Sequence, residues 1–226
     1  SFSDFDTRGY RAVAPREGYD RWAATYEGTV EDAMDLALLE RLAVDWESVG
    51  NAADLGCGTG RTGSWLAAYG VGEIDGVDLS PRMLAAARER GVYRSLHEGE
   101  VGDSGLGAGA YDLVTSCLVD EHLADLRPLY AEAARLAAPG GRFVLVGFHP
   151  HFIIASGIPT HFDDAESGEP VAIETHVHLL SEHVAAGLGA GFTLAALHER
   201  TVDDEWIALK PKWERFRGHP ISFSFV

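Results

Sequence analysis

The stretch "NAADLGCGTGRTG", residues 51–63, decides how the rest of the chain is read. A short apolar run carrying one acid, Asp54, ends in a loop of glycine and threonine. Glycine there lets the backbone adopt positive φ and come close to a ligand where a Cβ would hinder it. Two spacings overlap. "GTGRTG" (Gly58, Gly60, Gly63) satisfies the dinucleotide-binding fingerprint, whereas "DLGCGTG" (54–60) satisfies another. A lone glycine fingerprint is a weak signal, so the choice rests on the neighbouring charges. A pyrophosphate brought to this loop would meet the Asp54 carboxylate beneath it and be repelled, while a ligand carrying an ammonium group and a sulfonium would be attracted.

Around this loop the chain alternates. "NAADLG" reads as a strand, "RTGSWLAAYG" as a helix, "EIDGVDL" as a strand, and "SPRMLAAARERG" as a helix with Ser80 as N-cap and Pro81 in its first turn. "YRSLHEG" and "YDLVTSCLV" read as strands, "LRPLYAEAARLAA" as a helix broken at Pro139–Gly141, and "RFVLVGF" as a strand. Apolar strands alternating with helices predict an α/β protein with a parallel sheet covered on both faces. Upstream, residues 18–48 read as helices, with Met34, Leu38, Leu42 and Trp46 on one stripe of "EDAMDLALLERLAVDW". Downstream, 149–178 has turn residues and no period, and reads as a substrate lid. A helix "LLSEHVAAGLGAG" and strands "FTLAALHE" and "PISFSFV" finish the chain.

Ligands on an open parallel sheet sit beyond the carboxyl ends of its strands. Asp78 ends the second strand, where a carboxylate can accept both ribose hydroxyls, and Glu100 follows the third, where one can accept from an exocyclic amine. Asp103 competes with Glu100 for that role. "CLVDEHL" follows the fourth strand, which brings Asp120, Glu121 and His122 beside the ligand, with His122 the first choice of proton acceptor. Histidines gather in the lid. His149 and His151 alternate, as do His176 and His178, so in extended chain each pair faces one side. His149 joins the candidate catalytic set; His151, His161 and His178 are candidate substrate contacts. With Asp120 or Asp163 they also have the composition of a two-histidine, one-carboxylate metal site, but the expectation adopted is no metal, since histidines near a pocket more often bind substrate or are structural.

Composition bounds the alternatives. The 226 residues suit a single domain, with 1–48 as a helical cap. Eighteen Lys plus Arg against thirty-five Asp plus Glu give a net charge of −17, which repels phosphate backbones and argues against nucleic acid as a partner. Two cysteines, Cys57 and Cys117, make no disulfide framework. No apolar run is long enough to span a bilayer and no secretory signal is visible, so the expected location is the cytoplasm, with no membrane partner. A monomer or homodimer acting on a small molecule is expected.

Taken in order, "DLGCGTG" (54–60), "GVDLSPRML" (76–84), "YDLV" (111–114) and "LAAPGGRFVLVGF" (136–148) resemble the successive motifs of class I S-adenosylmethionine-dependent methyltransferases. The upstream "YDRWAATYE" (19–27) is similar to the opening helix of their ubiquinone/menaquinone-biosynthesis branch. The resemblance runs from about residue 18 to the end of the chain. It implies a Rossmann-like seven-stranded sheet of order 3-2-1-4-5-7-6, the last strand antiparallel, with helices on both faces. It also implies S-adenosylmethionine as cofactor. Asp54, Gly56, Cys57, Gly58 and Gly60 would hold its methionine end and Asp78 its ribose. Leu79 and Met83 would pack on the adenine, with Glu100 and Val101 at its edge. Tyr19 and Tyr26 would close over it, and Cys117 would complete the wall. The function expected is methyl transfer to a small acceptor, most simply at oxygen. The alternatives are a cofactor-binding cyclase or binding protein on the same fold and, behind them, a nicotinamide-dependent reductase.

Overall fold

The computed structural model describes residues 2–30 and 34–226. In chain order the elements are β1 (Arg11–Val13), α1 (Pro15–Trp22), α2 (Tyr26–Thr29), α3 (Met34–Leu39), β2 (Asn51–Leu55), α4 (Arg61–Ala68), β3 (Glu73–Asp78), α5 (Pro81–Glu89), β4 (Ser95–Glu98) and β5 (Tyr111–Cys117). They continue with α6 (Arg127–Leu136), β6 (Ala137–Phe148), α7 (Pro150–Ser156), β7 (His161–Asp163), β8 (Pro170–Ile173), α8 (Leu180–Gly189), β9 (Leu197–Thr201), α9 (Asp204–Leu209) and β10 (Pro220–Phe225).

Seven strands form one sheet in the order β4-β3-β2-β5-β6-β10-β9. Numbered within the sheet this is 3-2-1-4-5-7-6, the expected order, and β10 runs antiparallel to both β6 and β9. β2 is buried over Ala52–Leu55 because helices cover both faces, which is why its sequence is apolar without alternation. One core layer joins Leu55, Val77, Val114 and Leu145 to α6; the other joins Ala52, Ile74, Leu113 and Val146 to Leu38, Trp46 and Trp65.

Ser80 caps α5, its hydroxyl accepting from Met83 N–H at 3.0 Å, with Pro81 following. The stripe Met34, Leu38, Leu42 and Trp46 is buried, but the long helix expected over it is absent. Among the described residues α3 ends at Leu39, and Trp46 sits in a separate 3-10 turn (Trp46–Ser48). There its ring meets Trp65 edge to face at 5.0 Å, so tertiary packing overrides local periodicity. Residues 31–33 of that stretch lie outside the described residues. β9 begins five residues later than "FTLAALHE" suggests, and the helix α9, capped by the Asp203 side chain accepting from Trp206 N–H at 2.8 Å, stands where no element was expected.

Residues 149–178 are more ordered than a loop. After α7, β7 and β8 pair antiparallel, and β8 pairs parallel with β1 to make a second, three-stranded sheet. Its cluster of Val13, Trp22, Phe162, Val171 and Ile173 joins the start of the chain to this segment. α1 lies so close to β8 that a Cβ on Gly18 would stand 2.7 Å from Ile173.

Candidate active site

The first loop runs from β2 to α4 with Gly56 and Gly58 at φ +76° and +52°. The two glycines serve different neighbours. A Cβ on Gly56 would meet Val119 at 2.3 Å, whereas one on Gly58 would meet nothing within 4 Å. Gly58 therefore borders open space, and the bare backbone there forms the floor of a cavity. Asp78, at the end of β3, accepts from Gly58 N–H through Oδ2 at 2.8 Å and from Ser80 N–H through Oδ1 at 2.9 Å. Each oxygen keeps a lone pair for a further donor. Burial raises this carboxyl above its usual range.

The cavity wall includes Tyr19, Tyr26, Gly56, Cys57, Gly58, Asp78, Leu79, Met83, Val101, Cys117 and His122, so eleven of the residues singled out from sequence converge there. Two further wall residues gave no sequence signal: Arg61, the first residue of α4, and Asp35 of α3, paired at 2.9 Å. Burial pushes the Asp35 carboxyl up and Arg61 opposes that shift.

Asp54 is not in the wall. Its carboxylate is 1% exposed and lies a layer below, accepting from Tyr93 hydroxyl at 2.8 Å and Thr115 hydroxyl at 3.0 Å; burial lifts its pKa to about 6. Tyr93 also accounts for the second glycine spacing. A Cβ on Gly60, Gly63 or Gly76 would stand within 2.9 Å of its ring, so those glycines make room for a side chain beneath the loop. The dinucleotide fingerprint is here a packing pattern. Glu100 is also outside the wall: it is exposed and bridges to Asp103, while its neighbour Val101 turns inward.

A second cavity of about 390 Å³ adjoins the first. Tyr19, Tyr26 and Leu118 line both. Its walls carry the aromatic side chains of Trp22, Phe148, Phe152, Phe162, Trp206 and Trp213; Glu121 and Thr160 supply polar groups, and His161 and Lys212 also face it. Leu118 holds a φ of +59°, a strained conformation for a large side chain, where β5 gives way to this boundary.

At the junction, His122 Nδ1 sits 2.8 Å from the Glu174 carbonyl and therefore carries the proton, so Nε2 accepts from Tyr19 hydroxyl at 2.8 Å. Burial lowers the His122 pKa to about 4, keeping the imidazole neutral, and raises the Tyr19 phenol. Glu121, 3% exposed, accepts from Thr160 hydroxyl at 2.6 Å through Oε1, while Oε2 has no partner. Burial, reinforced by Asp120, lifts its pKa to about 8.

The other candidates lie elsewhere. Asp120 turns under the sheet, 3.4 Å from His183, because its backbone begins a 3-10 turn (Asp120–His122) that points it at Gly147. His149 and His151 are not in extended chain: Pro150 starts α7, His149 becomes its N-cap, accepting from His151 N–H at 3.1 Å, and its Nε2 meets Glu199 at 2.7 Å. His151 pairs with His219 at 3.1 Å, and His178 meets the Leu123 carbonyl at 2.6 Å; none of the three lines either cavity. Among the described residues no group of three or more His, Cys, Asp or Glu side chains is arranged to hold a metal. No helix among them is long and apolar enough to cross a membrane.

A family model described as a methyltransferase domain matches residues 53–145. An uncharacterized methyltransferase of Emericella nidulans is 29% identical over 85% of this chain and 82% of its own length. A ubiquinone biosynthesis O-methyltransferase of Sodalis glossinidius is 35% identical over 40% of this chain, which spans only 38% of that enzyme. Among solved structures, an S-adenosylmethionine-dependent methyltransferase from Mesorhizobium loti superposes with a TM-score of 0.69 at 22% identity, covering 87% of this chain and 98% of its own. Residues 53–145 thus carry a methyltransferase domain, and the chain is similar in sequence and in fold to S-adenosylmethionine-dependent methyltransferases.

Proposed function

We propose that the protein transfers the methyl group to a hydroxyl oxygen of a small, largely apolar acceptor held in the second cavity. The observation that carries this reading is the shared boundary: Tyr19, Tyr26 and Leu118 belong to both cavities, and His122 faces the first while its neighbour Glu121 faces the second. A volume of about 390 Å³ is in the range of small-molecule sites, and aromatic walls suit an apolar or aromatic ring.

The residues of the first cavity fit S-adenosylmethionine. Gly58 leaves open space above the backbone, Asp78 retains acceptor capacity for the ribose, and Leu79, Met83 and Val101 offer an apolar slot for the adenine. Arg61 supplies positive charge for the amino-acid carboxylate and Asp35 negative charge near the ammonium. When bound, the cofactor supplies a methyl group already activated by positive sulfur. The protein's task is then to align the acceptor oxygen and receive its proton. His122, held by Glu174 and bonded to Tyr19, orients the tyrosine hydroxyl at the border. Residues 149–178 and the start of the chain act together as the cover that excludes water.

The test is incubation with S-adenosylmethionine and a panel of hydroxyl-bearing aromatics, reading S-adenosylhomocysteine and a mass gain of one methyl group. Failure to form S-adenosylhomocysteine with any acceptor removes the transfer reading, and a rearranged substrate without it would identify a cyclase.

A further inference from the structure

His122 is the obvious proton acceptor, yet both its ring nitrogens are engaged, one donating to the Glu174 carbonyl and the other accepting from Tyr19. The neighbouring carboxyl differs. Glu121 is buried in the wall of the second cavity, Thr160 fixes its Oε1 at 2.6 Å, and its Oε2 is a buried oxygen with nothing bonded to it. A buried polar atom without a partner is costly, and such atoms call for an explanation in function. An acceptor hydroxyl in the cavity would satisfy it.

We propose that Glu121 is the catalytic base of the reaction, its Oε2 taking the proton of a phenolic hydroxyl, while Tyr19 and His122 position that oxygen without receiving the proton. This deepens the O-transfer reading and rests on it. As the acceptor oxygen bonds to the methyl carbon, the carbon–sulfur bond breaks and its electron pair returns to sulfur. The hydroxyl proton passes to the Glu121 carboxylate, which releases it to solvent after product departs. The chemistry also favours phenols. A carboxylate made more basic by burial approaches the proton affinity of a phenol, whereas the neutral imidazole of His122, made less basic by the same burial, moves away from it.

The groups around Glu121 are Asp120 beside it, His122 with Nε2 at 3.6 Å, Tyr19 from α1, Tyr26 from α2, and Thr160. His161, Asp163, Lys210 and Lys212 line the same cavity.

The experiment uses the full chain with S-adenosylmethionine and three probes of increasing acidity: catechol, a hydroxybenzoate ester and 4-nitrocatechol. Glu121→Gln should lower kcat on catechol by about 10²–10⁴-fold. Cofactor affinity should be unchanged, and the rise of activity with pH should disappear. The defect should shrink on 4-nitrocatechol, which ionises without help; a merely structural residue would not sort acceptors by acidity. Thr160→Val, which leaves the carboxyl in place, should move the wild-type pH rise to higher pH. Retention of kcat within about threefold in Glu121→Gln, or an equal loss on all three probes, overturns the proposal while leaving O-transfer intact. A wild-type enzyme that methylates none of the probes overturns both.

Discussion

Replacing Gly63 by alanine separates the two readings of the glycine loop. Gly63 lies buried within α4, and its new Cβ would stand 2.3 Å from Cζ and from the hydroxyl oxygen of Tyr93. The ring is tied in place by its hydroxyl, which is bonded to the buried Asp54. Overpacking costs about 1–3 kcal/mol. Loss of a hydrogen bond to a charged group adds about 1.5–3 kcal/mol. Alanine returns about 1 kcal/mol of helix propensity. The net is a destabilisation of roughly 1.5–5 kcal/mol, or a Tm lower by about 3–20 °C for a chain of this size. Calorimetric melts of Gly63→Ala, Tyr93→Phe and the double variant measure it. The double variant should be more stable than the sum of the singles predicts, because the closest clashing atom is gone. Cofactor affinity, measured by titration calorimetry below both melting points, should change far less than stability. A Gly63→Ala protein that melts at or above the wild-type temperature and binds cofactor poorly would refute the packing argument.

Three further outcomes follow from the buried charges and a buried thiol. Glu121 has its folded pKa raised from 4.5 to about 8, so the stability tied to its protonated form is full below about pH 4.5 and is lost as pH rises through about 8. Glu121→Gln, which imitates the neutral acid, should therefore match wild type near pH 5 and exceed it near pH 9, by up to about 5 kcal/mol in urea unfolding. Arg61→Ala leaves the Asp35 carboxylate buried without its ion pair and should cost about 3–5 kcal/mol, most of it recovered by adding Asp35→Asn; urea midpoints decide this, and an Arg61→Ala midpoint equal to wild type refutes it. Burial raises the thiol of Cys57, so it should resist iodoacetamide at neutral pH in the native state and react once unfolded, as followed by intact mass; rapid native labelling of Cys57 would contradict its burial.

The parallel sheet was legible because its signals are local. Continuous apolar strands, Ser80–Pro81 opening a helix and glycine after β2 each follow from nearest neighbours in sequence. Most residues expected at the first cavity reach its wall for the same reason, since strand ends fix where they lie. Several departures are long-range. Tyr93, read only as the start of a strand, turns back under the loop to hold Asp54 across a sequence distance of 39 residues. Asp35 and Arg61 meet across 26 residues, and nothing in either local pattern predicts their pairing. Asp120 and Glu121 share one acidic dipeptide. Only the 3-10 turn they sit in decides that Asp120 points to His183 and Glu121 to the second cavity.

The second cavity depends on two distant parts of the chain being in place together. Tyr19, Trp22 and Tyr26 come from the N-terminal helices, and Thr160, His161 and Phe162 from the segment between β6 and α8. The small sheet β1-β8-β7 joins them, and Trp22 stacks on Phe162 with ring centroids 5.4 Å apart. This cluster is separate from the two core layers that flank the large sheet. A unit with its own small apolar core and few strands has a lower opening free energy than the sheet it covers. Opening would expose the second cavity while leaving the Gly56–Gly58 floor and Asp78 folded. The same opening parts Tyr19 from His122 and Thr160 from Glu121, because each bond crosses between the cover and the body. On the proposed function, closure of this unit and completion of the Tyr19–His122 and Thr160–Glu121 bonds would be one event, tying the chemistry to a site closed to water.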